Sequence, residues 1–134
     1  YEIRNTLIWN KNLAQFGAIG AQYKSKHEPC IYAFKSGKAP YWNGPTNEVS
    51  VWDIARESKN EFHPTQKPVA LMEYLIKTYT NEGEAVLDFT MGSGTTICAA
   101  LNLDRRSIGI ERDDHYFEVA KNRIENHNIQ RKLF

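Results

Sequence analysis

Apolar and polar positions follow three different rhythms along the chain. Residues 3–10, Ile-Arg-Asn-Thr-Leu-Ile-Trp-Asn, are rich in strand-forming types with Leu7, Ile8 and Trp9 adjacent, which predicts a strand buried on at least one face. Residues 29–35 alternate and end at the Ser36-Gly37 turn signal, predicting a second strand. Between them, Gly17, Gly20 and the polar stretch to His27 read as a long loop, a kind of segment that often carries function. From Ser36 to Phe62 the text is rich in Gly, Pro, Asn and Ser; irregular structure is expected there, with Trp42 and Trp52 as anchors.

At Pro64 the rhythm becomes helical. Val69, Met72, Leu75, Ile76 and Tyr79 recur at helical spacing behind Pro68, which suits the first turn, so a helix is expected over 68–80, ending before Asn81-Glu82-Gly83. Ala85 to Phe89 is a short apolar run that reads as a buried strand. Gly92-Ser93-Gly94 then opens an apolar helix running through Leu103. Ser107 to Glu111 is the next strand. Asp113 is placed to cap a last helix on which Phe117, Ala120 and Ile124 share a face, with Lys121 and Arg123 late in it as the helix dipole favours. The order helix, strand, helix, strand, helix implies an α/β class with parallel strands.

Composition narrows the function without deciding it. With 134 residues, 41% hydrophobic and 25% charged, the chain is sized for a single domain or part of one. No apolar run approaches the ~20 residues of a membrane span, so no membrane partner is expected. Cys30 and Cys98 stand 68 positions apart with no CxxC or His cluster near them, so neither a metal site nor a disulfide framework is expected, and both read as thiols of a reducing, cytoplasmic compartment. Charge is uneven: residues 1–60 carry eight Lys/Arg against five Asp/Glu, residues 61–134 nine against eleven. A basic first half with Tyr23, Tyr41, Trp42 and Trp52 interleaved could face a phosphate backbone or be an ordinary solvated surface.

The chemistry concentrates in residues 63–114. A strand ending in Asp88, a Gly-Ser-Gly turn, a helix beginning at Thr95-Thr96, and a strand ending in Glu111 form a nucleotide-type binding unit. Glu111 lies 19 residues after Gly92, close to the ~20 expected of an acid that hydrogen-bonds a ribose. A dinucleotide would bring its pyrophosphate against Asp88, and the third glycine of Gly-x-Gly-x-x-Gly is replaced by Ile97; a P-loop lysine is also absent. S-adenosylmethionine suits the set better: an ammonium and a sulfonium for Asp88, a carboxylate for the helix start, a ribose for Glu111, and no phosphate. A nicotinamide-dependent oxidoreductase is disfavoured on the same charge argument.

His63-Pro64-Thr65-Gln66-Lys67-Pro68, Val86-Leu87-Asp88-Phe89-Thr90-Met91-Gly92-Ser93-Gly94-Thr95-Thr96 and Ile108-Gly109-Ile110-Glu111 through Tyr116, Phe117 and Ala120 resemble motifs X, I and II of the DNA amino-methyltransferases, the N6-adenine/N4-cytosine family, in β-class order. More loosely, Leu7 to Lys11 and Lys26 to Pro29 resemble the strands around its motif VIII. The resemblance implies a Rossmann-like, S-adenosylmethionine-dependent methyltransferase fold in which 1–37 hold the motif VIII strand pair, 38–62 a short target-recognition region, and 63–134 the cofactor motifs. It implies cofactor contacts from Thr65, Gln66, Lys67, Asp88, Thr90, Gly92, Ser93, Gly94, Thr95, Glu111 and Arg112. It also implies contacts to double-stranded DNA from Lys24, Lys26, His27, Tyr41, Trp42, Asn43 and Lys59, with loop anchoring the competing role for the tryptophans. Phe89 and Thr90 stand where the family commonly has Pro and Phe.

The implied activity is site-specific DNA methylation, with adenine N6 preferred over cytosine N4, in a bacterial or phage restriction-modification setting. The family's (D/N)-P-P-(Y/F) motif, whose polar group accepts from the target amino group while its aromatic ring stacks on a flipped base, does not occur; the five prolines are never adjacent. By β-class order that motif is expected upstream of Tyr1, together with two central strands. The fold is then incomplete, no catalytic residue can be assigned, and the 134 residues alone are expected to bind cofactor weakly and to methylate nothing. A homodimer or a complementing N-terminal segment is expected to cover the open sheet edges. A non-catalytic remnant or subunit that binds cofactor or DNA is the alternative.

Overall fold

Strand-forming residues at the start of the chain pair as their pattern requires. In the computed structural model, which describes residues 1–13, 20, 22–39, 41–57 and 62–132, β1 (Glu2–Asn10) runs antiparallel to β2 (His27–Phe34), with a register irregularity between Ile3 and Asn5. The chain divides into two compact units, Tyr1–Arg56 and Glu57–Phe134. In the first, a short strand β3 (Val51–Asp53) pairs parallel to β1, giving the order β2-β1-β3. This corrects the expectation of wholly irregular structure over 36–62. Three residues are too few to show a period, and what fixes them is burial of Trp52 beside Trp9, its register partner, whose indole Nε1 donates to the Ile54 carbonyl at 2.7 Å. Trp52 therefore anchors the unit and offers no face to a ligand. Trp42 is 41% exposed and is no core anchor. Lys11 is buried, its ammonium 3.3 Å from Glu28 on β2, so this cation belongs to a structural pair.

The second unit places its elements in the order α1 (Val69–Tyr79), β4 (Ala85–Asp88), α2 (Thr95–Asn102), β5 (Arg106–Gly109) and α3 (Asp114–Lys132). β4 and β5 are parallel, Leu87 opposite Ile108 and Asp88 opposite Gly109, with α2 as the crossover. Helix α2 is small-chained where it is most buried, at Cys98, Ala99 and Ala100, which lets other helices approach it closely. Ile76 of α1 packs on Ala99 and Ala100 with Val69, Met72, Val86 and Leu103 around them. A second cluster joins Met91, Ile97, Ala120 and Ile124. Burial pushes the Cys98 thiol above its ordinary pKa, in keeping with an inert core position.

Asp113 caps α3, its carboxylate accepting from the Tyr116 amide at 3.1 Å. The buried face of that helix is rotated from the one expected: Ala120 is fully buried, Tyr116, Arg123, Ile124 and His127 are half-buried, and Phe117 is 41% exposed. The stripe follows i, i+4, i+7, i+8, i+11 and takes polar side chains into the packing, a pattern invisible to a search for apolar spacing. One face of the β4–β5 pair is covered. The other presents Leu87, Phe89, Ile108 and Ile110, each more than half exposed, as a continuous apolar stripe. No helix of the described residues is long and apolar enough to cross a membrane.

Candidate cofactor site

Three segments of the second unit converge on a cavity of about 330 Å³. The first is the His63–Lys67 loop. The Gln66 amide donates to the His63 carbonyl at 3.1 Å, and His63 Nδ1 accepts from the Thr65 amide at 3.1 Å, so the imidazole organises its own loop. The His63 ring lies against Tyr116 of α3, centroids 4.2 Å apart, and faces Gly92.

The second segment is the bend between β4 and α2. Strand pairing continues into it, Ile110 donating to the Asp88 carbonyl at 2.8 Å and Met91 to the Ile110 carbonyl at 3.0 Å. The Asp88 carboxylate accepts from the Thr90 amide at 3.0 Å, the local bond that starts a turn. Gly92 and Gly94 both take positive φ, 51° and 76°, a geometry L side chains resist. A Cβ on Gly94 would stand 3.0 Å from Ile124 and 3.3 Å from Ala120, so α3 is pressed against the bend from behind. Gly109 on β5 is needed for closeness alone, because a Cβ there would collide with the Met91 sulfur.

Glu111 is the third segment, and it makes backbone contacts that the sequence does not show. One carboxylate oxygen accepts from the Gly92 amide at 2.9 Å, and the other from the amides of Arg112 and Asp113, each at 2.9 Å. The acid that follows β5 thus clamps the bend that follows β4. The Asp113 amide, with those of Gly92 and Arg112, holds the carboxyl below its ordinary pKa, against desolvation and the neighbouring Asp113 charge. A lowered folded-state pKa means this contribution is complete above the ordinary carboxylate range and is lost as pH falls through the lowered value. The protection factor of the Gly92 amide, which removes the intrinsic pH dependence of exchange, is accordingly expected to hold through mildly acidic pH and to fall only below the usual glutamate range; in Glu111→Gln it should not change with pH there.

The cavity is lined by Thr65, Gln66, Lys67, Asp88, Thr90, Gly92, Ser93, Thr95 and Glu111, all expected from the sequence. His63, Met72, Met91 and Thr96 line it too, beyond the contacts the motifs imply. His63 opens one of those motifs, and only the fold shows its ring in the wall. Gly94 and Arg112 do not line the cavity: the former turns toward α3, and the latter is exposed. In the other unit Lys24, Lys26 and His27 are exposed. Tyr41, Trp42 and Asn43 are exposed together, the Tyr41 hydroxyl donating to Asn43 at 2.7 Å and the Trp42 indole to the Pro45 carbonyl at 3.3 Å. Lys59 lies outside the described residues.

The donor set suits an adenosyl sulfonium ligand. Two carboxylates and several hydroxyls line a concave site whose floor is backbone brought close by glycine, and among the described residues the only lysine in the lining belongs to the His63–Lys67 loop. A family model described as DNA methylase, of the N6/N4 methyltransferases, matches residues 1–122. The chain belongs to that family. Among curated relatives of the chain, the type II methyltransferase M2.DpnII of Streptococcus pneumoniae is 47% identical over 142 residues, covering 96% of the chain and 53% of the relative. The solved complex of M1.HpyAVI with S-adenosylmethionine is similar at a TM-score of 0.76 and 39% identity, covering 90% of the chain and 61% of that structure. The PvuII DNA methyltransferase, titled cytosine-N4-specific, shares the fold at a TM-score of 0.72 and 16% identity, covering 91% of the chain and 54% of that structure. The fold is therefore that of the S-adenosylmethionine-dependent DNA methyltransferases. The chain spans about half or less of the length of the curated relatives it matches.

Proposed function

We propose that this chain supplies the S-adenosylmethionine-binding portion of a site-specific DNA methyltransferase that methylates an exocyclic base amino group, adenine N6 preferred. The observation that carries the reading is the pairing of Asp88 and Glu111 around the glycine bend, closed by the His63–Lys67 loop. S-adenosylmethionine, when bound, supplies the electrophilic methyl. Asp88 attracts its cationic methionine end, the amides at the start of α2 face its carboxylate, and Glu111, with both oxygens already tied to backbone amides, offers a remaining lone pair to the ribose. Thr65, Gln66 and Lys67 wall the cavity from the opposite side and orient the ligand. Lys24, Lys26, His27, Tyr41, Trp42 and Asn43 are proposed as the surface for double-stranded DNA, a basic and aromatic set suited to phosphates and unstacked bases.

The exposed stripe of Leu87, Phe89, Ile108 and Ile110 is proposed to be covered by a complementing segment, corresponding to the part of the relatives that the chain does not match and carrying the group that accepts from the target amine. Labelled methyl transfer to DNA, measured with the chain alone and with that segment supplied, tests both points. Transfer only in the mixture, yielding N6-methyladenine, is expected. Transfer by the chain alone, or binding of the stripe by a second copy seen as a dimer in light scattering, would refute the complementation; N4-methylcytosine as product would refute the adenine preference.

A further inference from the structure

The cofactor bend is held from behind by a side chain that lines no part of the cofactor cavity. Arg123, on the third turn of α3, donates through Nη1 to three acceptors of the bend: the Ser93 carbonyl at 3.1 Å, the Ser93 hydroxyl at 3.2 Å and the Thr95 hydroxyl at 3.0 Å. Ser93 and Thr95 are 3% and 5% exposed, so water has little access to replace these bonds. The same guanidinium lies 4.8 Å from the centroid of the Phe62 ring, immediately before the His63–Lys67 loop. One cation therefore bonds the bend and, by stacking, holds Phe62, whose amide donates to Gln66 Oε1 of the His63–Lys67 loop at 3.4 Å. Ala120 and Ile124, its neighbours on α3, close on Gly94. Nearer the start of the helix, Tyr116 packs on His63.

We infer that Arg123 is a positioning residue for the cofactor site, fixing the Ser93–Thr95 bend and the His63–Lys67 loop in their ligand-ready spacing. The inference rests on the cofactor assignment above for its consequence, though not for its geometry. Two acceptors on the bend are hydroxyls that would otherwise rotate freely, and the third is a carbonyl at the entry to α2. Ordering them from α3 means that ligand binding need not supply that ordering. A lysine at 123 could bring a charged donor to the bend but could not lay a planar cation on Phe62 in the same way. Methionine could fill the space and do neither.

The test uses the full chain with Arg123→Met and Arg123→Lys, measuring amide hydrogen exchange over residues 92–96 and the affinity for S-adenosylmethionine by calorimetry. Arg123→Met is expected to speed exchange at the bend while leaving β4 and α1 unchanged, and to weaken binding by about tenfold to a hundredfold. Arg123→Lys is expected to restore part of both. Unchanged exchange at the bend in Arg123→Met would overturn the inference, as would a lysine variant no better than methionine. If Arg123→Met loses its fold, the double variant Ser93→Ala with Thr95→Val carries the same test from the acceptor side, and unchanged exchange and affinity there would overturn it. Absence of S-adenosylmethionine binding by the unaltered chain would defeat the cofactor assignment, whereas the exchange measurement would still decide whether Arg123 fixes the bend.

Discussion

Gly94→Val is expected to cost about 2–5 kcal/mol of stability, from a β-branched side chain in the left-handed region and from overpacking against α3, and to abolish S-adenosylmethionine binding. The backbone at Gly94 has φ of 76°, and its missing Cβ would press on Ile124 at 3.0 Å and Ala120 at 3.3 Å. Domains of this size are stable by only about 5–15 kcal/mol, so the loss is a large fraction of the whole. Gly83 provides the control, since it has the same φ of 76° and a Cβ placed there would meet nothing within 4 Å. Gly83→Val should therefore show the backbone strain alone and leave binding intact. Thermal denaturation and calorimetry on the two variants separate the two contributions; equal losses of stability would mean that α3 does not buttress the bend.

Asp88→Asn is expected to weaken S-adenosylmethionine binding by about tenfold to a hundredfold while leaving the melting temperature nearly unchanged. Asparagine keeps an oxygen to accept from the Thr90 amide, so the local turn survives. What disappears is a negative charge in the cavity lining, which the proposed binding mode sets against the ligand's ammonium and sulfonium. The demethylated product keeps the ammonium and loses the sulfonium charge, so its affinity should fall by a smaller factor. Equal factors for the two ligands would place Asp88 on the ammonium alone, and no change in either would remove it from the site.

Much of the fold and site is legible in the residues, and the reasons for the remainder are physical. β4, α2 and β5 stand out because a parallel strand is a short apolar run and because glycines interrupt it where a ligand or a helix must approach; the burial expected of 85–89 is not met, since Leu87 and Phe89 are more than half exposed. The bend, its two acids and the His63–Lys67 block can be placed on one site because the three motifs they belong to occur together in the family. The clamp from Glu111 to the Gly92 amide cannot, since it spans 19 residues and depends on how β5 ends beside β4. Arg123 is hidden for a related reason: a basic residue late in a helix reads as a solvated partner of the helix dipole, and only the packing of α3 shows it turned inward. β3 leaves no trace in the pattern because Val51–Asp53 is three residues long and is fixed by Trp52 rather than by any period.

Isothermal calorimetry of the chain against S-adenosylmethionine, with a nicotinamide dinucleotide in a parallel cell, tests the central claim most directly. One site for the sulfonium ligand, lost in Asp88→Ala and Gly92→Val, and no heat from the dinucleotide is the result expected. Binding of the dinucleotide, or of neither ligand at millimolar concentration, would contradict the assignment of the glycine bend to a cationic methyl donor.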